Sequence, residues 1–263
     1  MTGIRTAPRR IQPATVRESD GIALKRALGE WFVEARHPEL RALCGPLLEE
    51  IGRRRRGGAF DPHGGSAALA VTMKAVGGPD AGDKRVRFQE CDSIGVPARL
   101  LDSGFVVQDW GGPAVEGFFA WARQCAVIFA EAHGVAAPEP EIDSAWSHIT
   151  PTGGGMAYHD HGGRPGDVQT AATVLYLQLE PADAAAPESG FVSYLSVGGD
   201  EEVLARPEVG LLTVWPAHVR HRVLPYRGTT ERIIIAANVN FLPYGDNVDA
   251  PKPADLDRLP TLG

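Results

Sequence analysis

The sequence has 263 residues, of which 43% are hydrophobic and 22% are charged, a composition that is typical of globular proteins. Its formal net charge of −7 argues against a protein that binds nucleic acids, because contacts with phosphates need a positively charged surface. No apolar run reaches the roughly 18 residues that a membrane-spanning helix requires. We therefore expect a globular protein whose partner is neither a nucleic acid nor a membrane.

The cysteines and the N-terminal residues bear on the cellular compartment. Cys44, Cys91 and Cys125 are odd in number and show no CxxC spacing, which favours free thiols. The basic residues near the N-terminus are not followed by an apolar segment, which argues against a secretory signal. We expect a cytoplasmic protein.

The first half of the chain carries a mixture of helix and strand patterns. Residues 19–36 open with a Ser-Asp pair that resembles a helix cap, and their apolar residues recur at roughly helical spacing, so we predict a helix there. A second helix is predicted over 39–52, and the cations of residues 53–56 suit its C-terminal end. Strands are predicted at 67–76 and 85–91.

The clearest helix pattern in the chain begins at Pro113, because the fixed φ of proline suits the first turn of a helix. Gly134 suits the position just after the helix end. The apolar residues between them form one stripe, so we predict that this helix packs against a sheet. The stripe comprises Val115, Phe118, Phe119, Ala122, Ala126 and Phe129.

Short apolar segments at close intervals dominate the chain from about residue 140. Seven of them, separated by turns rich in Gly, Pro and Asp, indicate a sandwich or barrel of strands rather than βαβ units. They are AWSHIT, GMAYHDH, ATVLYLQL, GFVSYLSV, VGLLTVW, HRVLPY and ERIIIAANVNF. We predict a mainly β single domain with flanking helices. It comprises a helical and edge-strand support region at 1–135, a β core at 140–242 and an irregular tail at 243–263.

Three histidines have the spacing of metal ligands. His159 and His161 are two residues apart, and in a strand such residues point to the same face. His221 lies much later, at the start of another predicted strand. We predict that the three bind one metal ion, although imidazole suits zinc, copper, iron and nickel alike. Strand alternation turns Asp160 to the opposite face, but a β-bulge would reverse this and make Asp160 the third ligand.

Three further residues are candidates for binding ligands around this metal. Arg232 lies eleven residues after His221 at the start of a very apolar strand, where a guanidinium is expected to pair with an anion unless it stays at the surface. Arg164, in the loop after His161, suits a substrate carboxylate. His148 lies on the preceding strand and is a second candidate for substrate binding.

The stretch from Trp146 to Phe241 resembles the 2-oxoglutarate/Fe(II) oxygenases, in particular a bacterial branch that carries HxH rather than HxD. The shared features are YHDHGG, then WPAHVRH, then an arginine before an apolar strand that ends in Asn. Two departures stand out, because a third histidine replaces the usual carboxylate ligand and Ile234 stands where many relatives have Ser or Thr.

This resemblance implies a double-stranded β-helix, that is, a jelly-roll or cupin-like barrel. It implies that the three histidines hold Fe(II), that Arg232 binds the distal carboxylate of 2-oxoglutarate, and that Tyr176 supplies a hydroxyl to the same cosubstrate. The implied reaction is hydroxylation, or another oxidation, of a C–H bond in a small molecule by O2. An amino acid or a natural-product intermediate is the expected substrate.

Two other functions suit the same architecture. A cupin-type dioxygenase can hold iron with three histidines and needs no 2-oxoglutarate, and the segment GLLTVWPAHVRH approximates a cupin motif with His218 where a glycine is expected. Under that interpretation Arg232 has no role. The second alternative is a non-catalytic barrel that binds a metal or another ligand.

Overall fold

Two β-sheets and two helices make up most of the computed structural model, which describes residues 7–60, 101–103, 106–135, 138–166, 168–182 and 184–242. The two sheets pack against each other, and the helices cover the outer face of the larger sheet. This is the predicted mainly β jelly roll with flanking helices. The strands predicted at 67–76 and 85–91 and the tail at 243–263 lie outside the described residues.

The described strands pair almost entirely in antiparallel fashion, and among them only β1 and β10 are parallel. The strands are β1 (Arg9–Arg10), β2 (Ala14–Ser19), β3 (Ile22–Ala27), β4 (Glu30–Ala35), β5 (Leu101–Asp102), β6 (Glu139–Thr150), β7 (Met156–His159), β8 (Thr170–Gln178), β9 (Val192–Leu195), β10 (Glu201–Ala205), β11 (Leu212–Pro216), β12 (Arg220–Val223) and β13 (Arg232–Leu242). The major sheet has the order β2-β3-β4-β11-β8-β13-β6-β5. The minor sheet has the order β1-β10-β9-β12-β7.

The helix predicted at 19–36 is wrong, because this segment forms two hairpin turns and the strands β3 and β4. Both turns have two central residues with positive φ, Asp20-Gly21 at 48° and 75° and Leu28-Gly29 at 54° and 78°. Turns of this kind match the twist of the flanking strands, and Asp-Gly is their preferred sequence. The Ser-Asp pair that suggested a helix cap therefore begins a hairpin.

The other two predicted helices are confirmed, with α1 at Pro38–Arg56 and α2 at Pro113–Ala132. The four arginines at the end of α1 lie in its last turn, where cations complement the helix dipole. Helix α2 buries its whole predicted stripe against the major sheet, and Gly134 has the positive φ of 84° that follows many helix ends.

Two separate hydrophobic layers line the major sheet. The helix-side layer joins α1 and α2 to residues such as Leu175 and Ile235, and the inter-sheet layer includes Val174 and Ile234. Successive strand residues alternate between these layers, as the pleat requires. The inter-sheet layer surrounds the histidines, so the site lies between the two sheets.

Within the described residues, Cys44 and Cys125 are free thiols and both are buried, while Cys91 lies outside them. No helix in this part of the chain has the length and apolar character needed to cross a membrane.

Candidate metal centre

The three predicted histidines meet between the sheets. Strands β7 and β12 pair so that His159 stands opposite His221, and His161 follows just after β7 ends. One ring nitrogen from each histidine lies within 4.8 Å of the others. The Nε2 atoms of His161 and His221 are 3.4 Å apart. Bonds of about 2.1 Å to one ion would separate neighbouring nitrogens by roughly 3–3.5 Å, so this spacing suits a shared metal.

Hydrogen bonds fix which nitrogen of each ring carries the proton. The Nδ1 atoms of His159 and His221 lie 2.9 and 3.1 Å from the carbonyl oxygens of Ala157 and Val219. A carbonyl oxygen can only accept, so each Nδ1 donates and each Nε2 keeps its lone pair. The Nε2 lone pairs of His159 and His221 are therefore available to a metal ion.

His161 reaches the same state through the side chain of Asn238. Its Nδ1 lies 2.8 Å from the amide oxygen of Asn238, whose NH2 group donates to the hydroxyl of Ser144 at 3.1 Å. The Nε2 atoms of His161 and His221 thus face each other with lone pairs, which is unfavourable unless a cation lies between them. The donor set fits a divalent metal ion.

The surroundings keep these imidazoles neutral. Burial lowers the pKa of His159 and His221, and it lowers the pKa of His161 to about 3, with the neighbouring His159 adding to that effect. Neutral imidazole is the form that binds metals. Two tryptophans hold the rings in place, since Trp146 stacks on His161 at 5.4 Å and Trp215 meets His221 edge-on at 5.0 Å between ring centroids.

Asp160, the alternative third ligand, makes a local contact with the backbone. Its Oδ1 accepts the N–H of Gly162 at 3.1 Å, and it is not part of the group of metal-binding atoms found among the described residues. This contact is the one expected of an aspartate that strand alternation turns away from the metal.

Arg232 lies in the same cavity as the histidines and is 97% shielded from solvent. Its guanidinium carbon is 5.3 Å from the ring centroid of Tyr176, and its Nε atom has no hydrogen-bond partner in the described part of the chain. No carboxylate among the described residues forms an ion pair with it. Burial lowers the pKa of Arg232, and the nearby tyrosine hydroxyls oppose that effect.

A buried guanidinium without a counter-ion is costly, and it is relieved by an anionic ligand in the cavity. Burial raises the pKa of Tyr176, so its phenol stays protonated beside Arg232. Ile234, which stands where many relatives have Ser or Thr, lines this cavity and supplies no hydroxyl to it. Thr150 also bears a hydroxyl; it pairs with Arg232 in register and lines the same cavity. These residues fit the carboxylate of a keto acid.

The two candidate substrate-binding residues differ in position. His148 lines the cavity and is buried, and its Nε2 lies 3.1 Å from Oδ2 of Asp102 on the edge strand β5. Arg164 is exposed in the loop after His161 and does not line the cavity.

Four residues of the site were not assigned from the sequence: Trp146, Thr150, Trp215 and Asn238. Side chains alternate along a strand, so Trp146 and Thr150 on β6 lie on the same face as His148. On β11, Trp215 lies on the same face as Thr213. This alternation would have placed the first three on the histidine side of the sheet. The contact of Asn238 with His161 joins β13 to the loop after β7, and such a pairing depends on the register between distant strands.

The comparison with known proteins agrees with this geometry. Residues 144–238 match a family model described as "Putative 2OG-Fe(II) oxygenase", where 2OG is 2-oxoglutarate. No curated protein sequence matches the chain. Among solved structures, AviO1 from Streptomyces viridochromogenes Tue57 is similar with a TM-score of 0.50 and 12% identity, over 84% of this chain and 92% of AviO1. A prolyl-4-hydroxylase from Pseudomonas putida has a TM-score of 0.49 and 18% identity, over 81% of this chain and 93% of that chain.

At 12% identity AviO1 bears on the fold alone, and the family model covers the three histidines and Arg232. The resemblance recognised from the sequence motifs is confirmed by this family model, and the expected cofactors are those that the family uses. The chain is thus similar, through the β core at 144–238, to the 2-oxoglutarate/Fe(II)-dependent oxygenases, a family that uses Fe(II) and 2-oxoglutarate.

Proposed function

We propose that this chain is a 2-oxoglutarate- and Fe(II)-dependent oxygenase that hydroxylates, or otherwise oxidises, a C–H bond of a small molecule. The observation that carries the proposal is the presence, in one cavity, of three neutral imidazoles and a buried guanidinium that lacks an anionic partner. A metal centre alone suits all three functions that the sequence suggests. The guanidinium adds a binding site for a carboxylate, which only the first of them uses.

The residues of the cavity would bind two different ligands, the metal ion and the cosubstrate. His159, His161 and His221 would hold the metal through Nε2, because their Nδ1 atoms already donate to oxygens of the chain. Arg232 and Tyr176 would bind the distal carboxylate of 2-oxoglutarate. When bound, Fe(II) and 2-oxoglutarate supply the oxidising chemistry for C–H cleavage.

The walls of the cavity favour such chemistry because they are largely apolar. Trp146, Trp215 and Ile234 line it, so water is displaced and the charge of Arg232 acts at low dielectric. We propose that the substrate is a small molecule and not a nucleic acid, in keeping with the formal net charge of −7.

The test is Arg232→Ala, with 2-oxoglutarate affinity as the measurement. Anaerobic titration of the Fe(II)-loaded protein follows the visible charge-transfer band of a chelated keto acid. Loss of a buried charge pair costs on the order of 2–5 kcal/mol, so affinity should fall at least tenfold while iron remains bound. Arg222→Ala is the matched control, because Arg222 contacts Glu202 and does not line the cavity.

Unchanged affinity in Arg232→Ala would remove this residue from the site. Turnover of 2-oxoglutarate to succinate should require both Fe(II) and O2. If O2 consumption with a panel of small molecules proceeds equally well without 2-oxoglutarate, the cupin-type function replaces the proposal. A protein that binds metal but consumes no O2 under any condition would be a non-catalytic barrel.

A further inference from the structure

The turn at 216–220, between β11 and β12, contacts two of the three histidines. The carbonyl oxygen of Ala217 accepts the backbone N–H of His161 at 2.9 Å. The carbonyl oxygen of Val219 accepts the Nδ1 proton of His221 at 3.1 Å. The position of this one turn therefore affects the backbone of His161 and the ring of His221.

The residue between those two carbonyls is His218, whose side chain points away from the cavity and is almost fully shielded from solvent. Its Nε2 lies 3.2 Å from Oε1 of Glu30, at the start of β4. The other carboxylate oxygen of Glu30 lies 3.5 Å from Nε2 of His133, the residue that caps the C-terminal end of α2. A single carboxylate thus connects the turn to the helix layer.

The contact between Glu30 and His218 is strong because it involves a charged carboxylate. Burial disfavours the charge of Glu30, but the nearby imidazoles of His133 and His218 outweigh it and lower the pKa of Glu30 to about 2. The carboxylate is therefore charged at neutral pH, and hydrogen bonds to charged groups are among the stronger ones in proteins. Loss of Glu30 would leave the ring of His218 buried without its acceptor.

We propose that Glu30 and His218 are positioning residues of the metal centre. Glu30 holds the ring of His218, and His218 holds the turn. The turn carbonyls in their place hold the backbone of His161 and the ring of His221. Neither residue lines the cavity, so neither contacts the metal or the substrate. The inference rests on the proposed metal centre, and it predicts that a substitution in the N-terminal hairpin changes metal binding.

A general role in stability is the competing explanation, and β4 supplies a matched control for it. Glu34 lies on the same strand, and its side chain is 13% exposed compared with 15% for Glu30. It also has two cationic partners, Lys25 and Arg36, each at 2.7 Å. Neither partner belongs to the turn at 216–220. Glu34→Gln therefore removes an equivalent carboxylate without disturbing the histidines.

The experiment is a Co(II) titration of the purified full-length protein, because Co(II) reports both affinity and coordination geometry through its visible absorption. Outer-shell substitutions typically weaken metal binding about 10–100-fold, so Glu30→Gln should lower Co(II) affinity at least tenfold and shift the spectrum. Glu34→Gln should stay within about twofold of wild type, whatever its effect on stability. The double variant Glu30→Gln/His218→Ala should bind no more weakly than the weaker single variant, since both break one connection.

Two histidine variants test the same connection if Glu30→Gln does not fold. His218→Ala removes the hydrogen-bond donor, whereas His218→Gln places an amide N–H where Nε2 was and should restore most of the affinity. Wild-type affinity and an unchanged spectrum in Glu30→Gln, or equal effects of His218→Ala and His218→Gln, would overturn the inference.

The same titration separates this inference from the proposed function. A wild-type protein that binds no Co(II) contradicts the metal centre itself. A wild-type protein that binds Co(II) but not 2-oxoglutarate contradicts the oxygenase proposal and leaves the positioning role of Glu30 and His218 in place.

Discussion

Three oxygen atoms determine the chemistry that the histidines can perform. The carbonyl oxygens of Ala157 and Val219 and the amide oxygen of Asn238 each accept a hydrogen bond from one imidazole Nδ1–H. Every Nε2 is therefore left neutral, with a lone pair that a metal can bind. A divalent ion bound by three neutral ligands keeps its full charge, whereas a carboxylate ligand would offset part of it. Together with the charge of Arg232, such a bound ion would favour anionic ligands in the cavity.

The first prediction at this scale concerns Asp160 and His161. His161→Ala should abolish stoichiometric binding of Fe(II), because one of three ligands is lost. Asp160→Ala should leave the metal bound, since Asp160 accepts the N–H of Gly162. Metal analysis of the two purified variants measures this directly.

Asp160→Asn is the control, because it retains an oxygen that can accept the Gly162 N–H. Iron retained in His161→Ala but lost from Asp160→Ala would contradict the three-histidine site and restore the usual carboxylate ligand.

The alternation of side chains along a strand explains which site residues could be predicted from the sequence. The alternation of side chains brings His159 and His161 to one face, and the structure places both beside His221 as expected. Parity gives no register between strands that are distant in sequence. The pairing of Arg232 with Thr150, and the contact of Glu30 with His218, depend on that register.

At the scale of elements, the seven strands predicted in the C-terminal half are all present, and one more, β10, was not predicted. This strand begins with Glu201 and Glu202, whose charges obscure the strand pattern. Glu202 is nevertheless buried, because Ser193 donates to it at 2.6 Å and Arg222 at 3.1 Å. Side-chain partners from other strands thus override the local preference.

The helix prediction for the N-terminal hairpins was wrong for a different reason. Apolar residues at 22, 24, 28, 31 and 32 fit a helical period, but two-residue turns at Asp20-Gly21 and Leu28-Gly29 reset the alternation between strands. Within each strand the pattern is too short to define a period. The Asp-Gly pair was the decisive signal, because it favours the turn over the cap.

The second prediction concerns Gly155, which lies just before β7. A Cβ atom on this residue would come within 2.8 Å of the carbonyl oxygen of Val223 on β12, and backbone atoms cannot move aside cheaply. Gly155→Ala should reduce the free energy of unfolding by about 1–3 kcal/mol, as overpacking does. It should also weaken Co(II) binding, because β7 and β12 place His159 opposite His221.

Urea unfolding and Co(II) titration provide the two measurements. Gly52→Ala is the control, because this helical glycine has room for a Cβ atom, with Arg56 Nη1 nearest at 3.4 Å. That change should stabilise the protein by about 0.5–1 kcal/mol. Equal stability of Gly155→Ala and wild type would show that the close approach is easily relieved.

At the scale of the whole molecule, Glu30 links all three layers. Its strand belongs to the major sheet, His133 belongs to the helix layer, and His218 belongs to the turn that enters the minor sheet. The domain boundaries suggested by the sequence, with a support region at 1–135, remain a prediction. Under the proposed positioning role, the contact of Glu30 with the turn would connect that region to the metal site.

The third prediction follows from the low pKa of Glu30. Its pKa in the folded protein is about 2, below the ordinary value of 4.5, so its charge stabilises the fold above pH 4.5 and stops doing so as pH falls towards 2. The unfolding free energies of wild type and Glu30→Gln should therefore differ most at pH 6, on the order of 2 kcal/mol, and converge only as pH falls to about 2. Urea unfolding across this range measures both curves. Parallel curves would mean that the charge of Glu30 contributes nothing to the pH dependence.

Strand β13 carries two unrelated sets of constraints on one backbone. Ile233, Ile235, Ala237 and Val239 pack on the helices, while Arg232, Ile234, Ala236 and Asn238 face the cavity. A mutational library restricted to Ile234 and Ala236 would therefore reshape the cavity while leaving the helix packing untouched. A one-residue deletion in this strand would exchange the two sets and destroy both at once, so laboratory evolution of this protein can proceed by substitution there but not by changes in length.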